Sequence, residues 1–275
     1  MYMKKILYSA LVLIVLVAAA AIIYSRPKPP VKPEGSSTNE AVSNTAALPD
    51  DSDDIDPLPE DLIVYRDGIM LGPGYSVGEA PEGYFKNTLF IGDSRFTGLQ
   101  AYGRIDGALW FCSTGLGLTS YEKKDVKVEG IGTITLSKLL KRKAYDKIYV
   151  CMGINDLGYD LDRLKGRFTD FIAMLQEQCP SAIIIIISNL HVGKARSDRD
   201  KWVNNTRLNE LNAHFESMQD GKKVFYIETN GLFDNADGDM DTTYTNDNVH
   251  ILGKYYTVWG DYIKAHAIIG SAPEE

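Results

Sequence analysis

The sequence predicts an α/β fold: a five-stranded, mostly parallel sheet covered by helices on both faces. Three observations lead there. Five short apolar runs, Thr88–Ile91, Ala108–Cys112, Lys147–Met152, Ala182–Ser188 and Val224–Glu228, read as strands buried on both sides. Segments with apolar residues at helical spacing separate or follow them: Leu164, Phe168, Phe171, Ile172 and Leu175; Leu208, Leu211, Phe215 and Met218; Tyr255, Val258, Trp259, Tyr262 and Ile263. Strands alternating with helices are the pattern of a parallel sheet joined by crossovers.

Ahead of this body lie two segments of different character. Residues 1–25 hold an apolar run, Ile6–Tyr24, after Lys4 and Lys5. Its 19 residues are just enough for a helix to cross about 30 Å of hydrocarbon. The small residues Ala18–Ala21 would also suit a cleavage site. Ile22, Ile23 and Tyr24 extend the run past that point, which favours a retained anchor with the body outside the cell; cleavage would make the protein secreted. Residues 26–61 carry Pro27, Pro29, Pro30 and Pro33, then an acidic stretch from Asp50. Such a composition buries too little apolar surface to offset its ordering entropy, so it reads as a linker. Residues 62–275 form the expected globular domain.

That domain opens with a hairpin signal, Asp67–Gly68 between Leu62–Tyr65 and Ile69–Leu71. Gly74-Tyr75-Ser76-Val77-Gly78 spells the nucleophile elbow of α/β-hydrolases, but Pro73 precedes it and Pro81 follows. An elbow needs a buried strand before it and a helix after it; the segment reads as a loop. The acidic run Asp234–Asp241 lacks the glycine placement of a calcium loop and reads as solvated.

Composition excludes several functions. The net charge is −8 over 275 residues, and no basic face is visible for nucleic acid. Cys112, Cys151 and Cys179 are too few and too scattered for a disulfide framework, and no Cys-x-x-Cys pair suggests zinc. No metal or organic cofactor is implied, and the sequence is silent on oligomeric state.

In parallel sheets, chemistry gathers at the carboxyl ends of the strands. Gly92-Asp93-Ser94-Arg95 follows the first strand, where a serine could simply cap a helix. Ser113-Thr114-Gly115-Leu116-Gly117 follows the second. Gly153-Ile154-Asn155-Asp156 follows the third. Asp247-Asn248-Val249-His250 precedes the last helix, and its three-residue spacing can set a carboxylate beside an imidazole. Of the other histidines, His214 and His266 fall in helices. His191 follows the fourth strand but has no aspartate three residues before it. Together the four blocks supply a nucleophile, an oriented base and donors for an oxyanion, the inventory of acyl transfer.

These blocks, in this order, resemble the SGNH (GDSL) hydrolase superfamily from Asn87 to the last helix. Gly-x-Asn-Asp and Asp-x-x-His match in full; the first two blocks are weaker. The resemblance implies a flavodoxin-like three-layer α/β/α fold and a serine esterase without cofactor. It implies Ser94 as nucleophile, His250 as base and Asp247 as its orienter. It implies an oxyanion hole of the Ser94 N–H, the Gly115 N–H and the Asn155 side chain, with Gly117 the alternative to Gly115. Arg95 stands where the family name has leucine and would suit an anionic substrate. The expected substrate is a short acyl ester, acetyl above all, on a carbohydrate. An O-acyltransferase, a lipase or thioesterase, and a non-catalytic binding module are the alternatives. Tyr102, Trp110, Phe111 and Tyr121 flank the second block and are either an acyl pocket or core.

Overall fold

The computed structural model describes residues 63–270; the expected anchor, residues 1–25, and linker, 26–61, lie outside them. Among the described residues no helix is long and apolar enough to cross a membrane.

The central sheet is built from β4 (Thr88–Gly92), β5 (Leu109–Cys112), β8 (Lys147–Cys151), β9 (Ile183–Ile187) and β10 (Val224–Ile227). All four pairings are parallel, and the strand order is β10-β9-β8-β4-β5. Numbered along the chain, that is the 2-1-3-4-5 order of flavodoxin-like folds. Each strand falls within a residue or so of its sequence-based bounds.

Alternation along the strands feeds two cores. Leu89, Ile91, Ile148, Val150, Ile184 and Ile186 face one side and pack with α2 (Leu136–Leu140), α3 (Leu161–Gln178) and α5 (Asn205–Ser217). Phe90, Tyr149, Ile185, Ile187 and Phe225 face the other and meet α1 (Ser94–Tyr102) and α6 (Tyr256–Ala265). This is the three-layer α/β/α arrangement. Phe90 stacks between its register partners, Trp110 at 4.1 Å and Tyr149 at 4.6 Å, which stiffens the strand leading to Ser94. Cys112, Cys151 and Cys179 are buried and unpaired.

Smaller elements surround the sheet. β1 (Val64–Arg66) and β2 (Ile69–Leu71) form the expected hairpin, with positive φ at both Asp67 and Gly68 as a type I′ turn requires. The Gly74–Gly78 segment departs from its loop reading. Tyr75–Gly78 is β3, paired antiparallel with β11 (Ala267–Gly270). The sequence understated it because its partner lies almost two hundred residues away. No helix follows it, so it is no elbow. β6 (Val126–Val128) and β7 (Gly132–Ile134) form a further short hairpin, and α4 (Lys194–Ser197) is a single turn.

The layer behind Ser94 depends on a close approach of α6 to the end of α1. A Cβ at Gly260 would collide with the backbone carbonyl of Gly103, an atom that cannot swing aside. Gly166, inside α3, faces open space. Gly260→Ala is therefore expected to destabilise the protein by roughly 1–3 kcal/mol. Gly166→Ala should stabilise it by about 0.5–1 kcal/mol through helix propensity. Urea unfolding of both variants checks this, and a Gly260→Ala protein as stable as wild type would refute the packing account.

Candidate active site

Ser94 begins α1 directly after β4. The helix needs a cap for its free N–H groups, and Asp93 provides it, accepting from the Arg95 N–H at 2.9 Å. The sequence left open whether Ser94 itself is the cap. With Asp93 in that role, the Ser94 hydroxyl is free and lies 2.8 Å from His250 Nε2. Its own N–H, in the first turn, has no carbonyl of that helix to meet.

His250 reaches Ser94 from a loop before α6. Its Nδ1 is 2.8 Å from Asp247 Oδ2. Asp247 Oδ1 accepts the N–H groups of His250 at 2.8 Å and Val249 at 2.9 Å, so one carboxylate shapes the loop and orients the ring. Burial would raise the Asp247 pKa. The hydrogen bonds from His250 and Val249 outweigh that and hold it well below the usual carboxylate range. With Nδ1–H donated to Asp247, Nε2 is left as an acceptor for the Ser94 proton.

Arg95 corrects an expectation. Its side chain is 1% exposed, so it does not offer its charge to a substrate. Nη2 donates instead to the Val249 carbonyl at 3.2 Å, tying the His250 loop to α1. Burial lowers the Arg95 pKa and raises that of the equally buried Asp93, while each charge works to restrain the other's shift.

The second and third blocks converge on the same cleft. Gly115 is exposed, with φ +73°, and lines it. Gly117 turns the other way: its N–H donates to Ser120 Oγ at 3.2 Å, and a Cβ there would strike Asp156. Of the two glycines, Gly115 is the one that lines the cleft with Ser94. Asn155 donates one amide hydrogen to the Leu116 carbonyl at 2.9 Å, which fixes the side chain and leaves its second hydrogen for the cleft. Asp156, the last residue of that block, was given no role by the sequence. It is buried and accepts from the Leu118 N–H at 2.7 Å, the Thr119 N–H at 3.2 Å and Thr119 Oγ1 at 2.7 Å. It clamps the loop that carries Gly115. Its signal was a carboxylate adjoining an asparagine at a strand end.

The cleft measures about 460 Å³. Ser94, His250, Gly115 and Asn155 share it with Ile154, Val249, Arg196, Asp200, Trp202 and Val203. The aromatic residues that flank the second block are elsewhere. Trp110 and Phe111 are core, Tyr121 packs edge-on against Phe171, and Tyr102 borders a separate depression with Arg104 and Lys254. Trp202 is the aromatic that reaches the cleft, from a loop with no sequence signal of its own.

His191 follows the fourth strand, as read, and finds its carboxylate elsewhere in the chain. Its Nδ1 pairs with Asp234 at 2.7 Å and its Nε2 with Asn209 at 2.7 Å. Burial alone would lower its pKa; Asp234 and Asn209 together raise it. Asp234 and Asp239 are therefore not simply solvated: Asp239 Oδ1 also accepts from Asn205 at 2.7 Å. This network braces the neighbouring Gly193, whose N–H holds the Asn248 carbonyl at 2.9 Å, two residues before His250. His214 lies in α5, as expected, and His266 caps the end of α6.

A carboxylate with a depressed folded pKa stabilises the fold above its unfolded value of about 3.9 and loses that contribution as pH falls toward the folded value. Solvent screening limits its size, because the Asp247 side chain is half-exposed. Asp247→Asn is expected to lower Tm at pH 7, with the gap from wild type closing as pH drops below about 4. A gap that stays constant down to pH 2 would sink this account.

Comparison with known proteins places the fold and the family. The model of the GDSL-like lipase/acylhydrolase family matches residues 90–256, more than half of the chain. An acylhydrolase structure from Bacteroides fragilis superposes with a TM-score of 0.50 at 14% identity, covering 68% of this chain and 88% of the other. A GDSL-like lipase from Bacteroides thetaiotaomicron gives 0.50 at 16% identity, covering 67% and 89%. At such identities these two structures speak for the fold alone. No curated protein matches the sequence. With the family's blocks present in order and spanned by the match, the chain belongs to the GDSL-like lipase/acylhydrolase family, serine hydrolases that cleave ester bonds.

Proposed function

We propose that the protein removes short acyl groups, acetyl above all, from a carbohydrate outside the cell, using Ser94, His250 and Asp247. The observation that carries the catalytic assignment is the continuous hydrogen-bonded chain from Ser94 Oγ through His250 to Asp247, both links 2.8 Å.

The chemistry follows from that chain. Ser94 Oγ attacks the ester carbonyl as His250 Nε2 takes its proton. Asp247 steadies the imidazolium. The oxyanion is held by the N–H groups of Ser94 and Gly115 and by the Asn155 amide, with the positive end of α1 beneath it. Collapse expels the alcohol, which leaves with the proton from His250, and an acyl-serine remains. Water then attacks the acyl carbon, gives its proton to His250, and the carboxylic acid departs as Ser94 recovers its hydrogen. The same residues would serve an acyltransferase if a sugar hydroxyl replaced water. Open access of solvent to a cleft lined by exposed Gly115, Asn155 and Trp202 favours hydrolysis.

The expected division into anchor, linker and catalytic domain, and the placing of that domain outside the cell, rest on the apolar run Ile6–Tyr24 after Lys4 and Lys5. A tethered esterase would meet acylated polymers close to its own cell.

Ser94→Ala is expected to abolish hydrolysis of p-nitrophenyl acetate and labelling by a fluorophosphonate. Asn155→Ala should lower kcat by roughly 10²–10³-fold while leaving fluorophosphonate attachment at Ser94 detectable. Equal turnover by wild type and Ser94→Ala would remove Ser94 from the mechanism.

A further inference from the structure

Trp202 forms part of the cleft wall, yet it is 43% exposed. The other two tryptophans, Trp110 and Trp259, are buried. Tryptophan is enriched at binding interfaces, where its apolar face is covered while its N–H stays in reach of polar partners.

The loop around this ring is pinned. The N–H groups of Trp202 and Val203 donate to Asp200 Oδ1 at 2.8 and 3.0 Å. The other Asp200 oxygen meets Arg196 Nη2 at 2.6 Å. The Asn205 N–H donates to Ser197 Oγ at 3.0 Å. Arg207 lies 5.5 Å from the indole centre, and its guanidinium is itself held by the carbonyls of Leu157 and Tyr159. Lys201 Nζ, 4.6 Å from the ring, sits on an exposed chain that can swing aside. The indole is therefore a preorganised plate, and little side-chain freedom is lost when a ligand settles on it.

The surroundings select the ligand. A pocket for a long acyl chain would be apolar along its length. This wall is mixed: Arg196 and Asp200 border Trp202, with Thr114 and Asn155 in the same lining. A pyranose ring has matching character, an apolar C–H face and a rim of hydroxyls. We infer that Trp202 is the platform for the sugar ring whose acylated hydroxyl is presented to Ser94, with Arg196 and Asp200 meeting its rim hydroxyls. The inference rests on the esterase reading above and names the alcohol portion of the substrate.

Full-length Ser94→Ala protein binds without turnover, and acrylamide quenching of its intrinsic fluorescence reports on Trp202, the exposed one of three tryptophans. Methyl 6-O-acetyl-glucopyranoside is expected to protect that fluorescence saturably. Adding Trp202→Ala should weaken calorimetric binding of the same sugar about tenfold, and Trp202→Phe should restore part of it. Stronger protection by ethyl hexanoate than by the sugar would overturn the inference, making the plate an acyl wall. Absence of protection by either ligand would overturn it as well. A wild-type protein that binds the sugar through Trp202 but cleaves no ester would instead refute the esterase reading and leave the platform standing.

Discussion

A parallel sheet buried on both faces leaves little room for polar chemistry except at the ends of its strands. In this protein both faces are filled with Leu, Ile, Val and aromatic side chains, so backbone groups inside the sheet are fully occupied by its ladder. Unsatisfied donors and reactive side chains collect at the carboxyl edge. The order β10-β9-β8-β4-β5 opens a crevice where connections from β4 diverge toward β5 on one side and from β8 toward β9 on the other. Ser94 follows β4 and Asn155 follows β8, the two strands that flank this divide.

What turns that crevice into a precise site is a set of carboxylates and amides that bind backbone. Asp93 caps α1 and frees the Ser94 hydroxyl. Asp156 clamps residues 118–119 and so fixes the Gly115 turn. Asp247 shapes the loop that carries His250. Arg95 and Gly193 reach the same loop at Val249 and Asn248. None of these groups besides Asp247 touches the imidazole or the serine hydroxyl, yet each removes a freedom that would otherwise be lost during reaction. Ser94 and His250 are half-buried, the first in the opening turn of α1 and the second in the loop before α6, and both line the cleft.

The aromatic lining of the cleft follows a different logic. Trp110 and Phe111, near the second block, are consumed by the core, because strand β5 is buried and its alternation assigns them to opposite layers. The aromatic ring that lines the cleft is that of Trp202, in an irregular stretch between α4 and α5. Ser94 and Asn155 follow scaffold strands, and an irregular stretch brings the Trp202 ring to the same cleft.

The sequence by itself determined the five central strands, the order of the four polar blocks and the pairing of Asp247 with His250. These are local matters: period-two or unbroken apolar runs, turn residues at strand ends, and a three-residue spacing within one loop. Tertiary structure alone decided the rest. The turning of Gly117 away from the cleft depends on where Asp156 points, thirty-nine residues beyond it. The burial of Arg95 depends on Val249, and the strand character of Tyr75–Gly78 on Ala267–Gly270. His191 found its carboxylate in Asp234, not three residues before it. Trp202 became a cleft residue through Asp200, Arg196 and Arg207. In each case the deciding partner is brought close by folding of the chain, and no periodicity or short motif encodes a contact between residues that only packing makes neighbours.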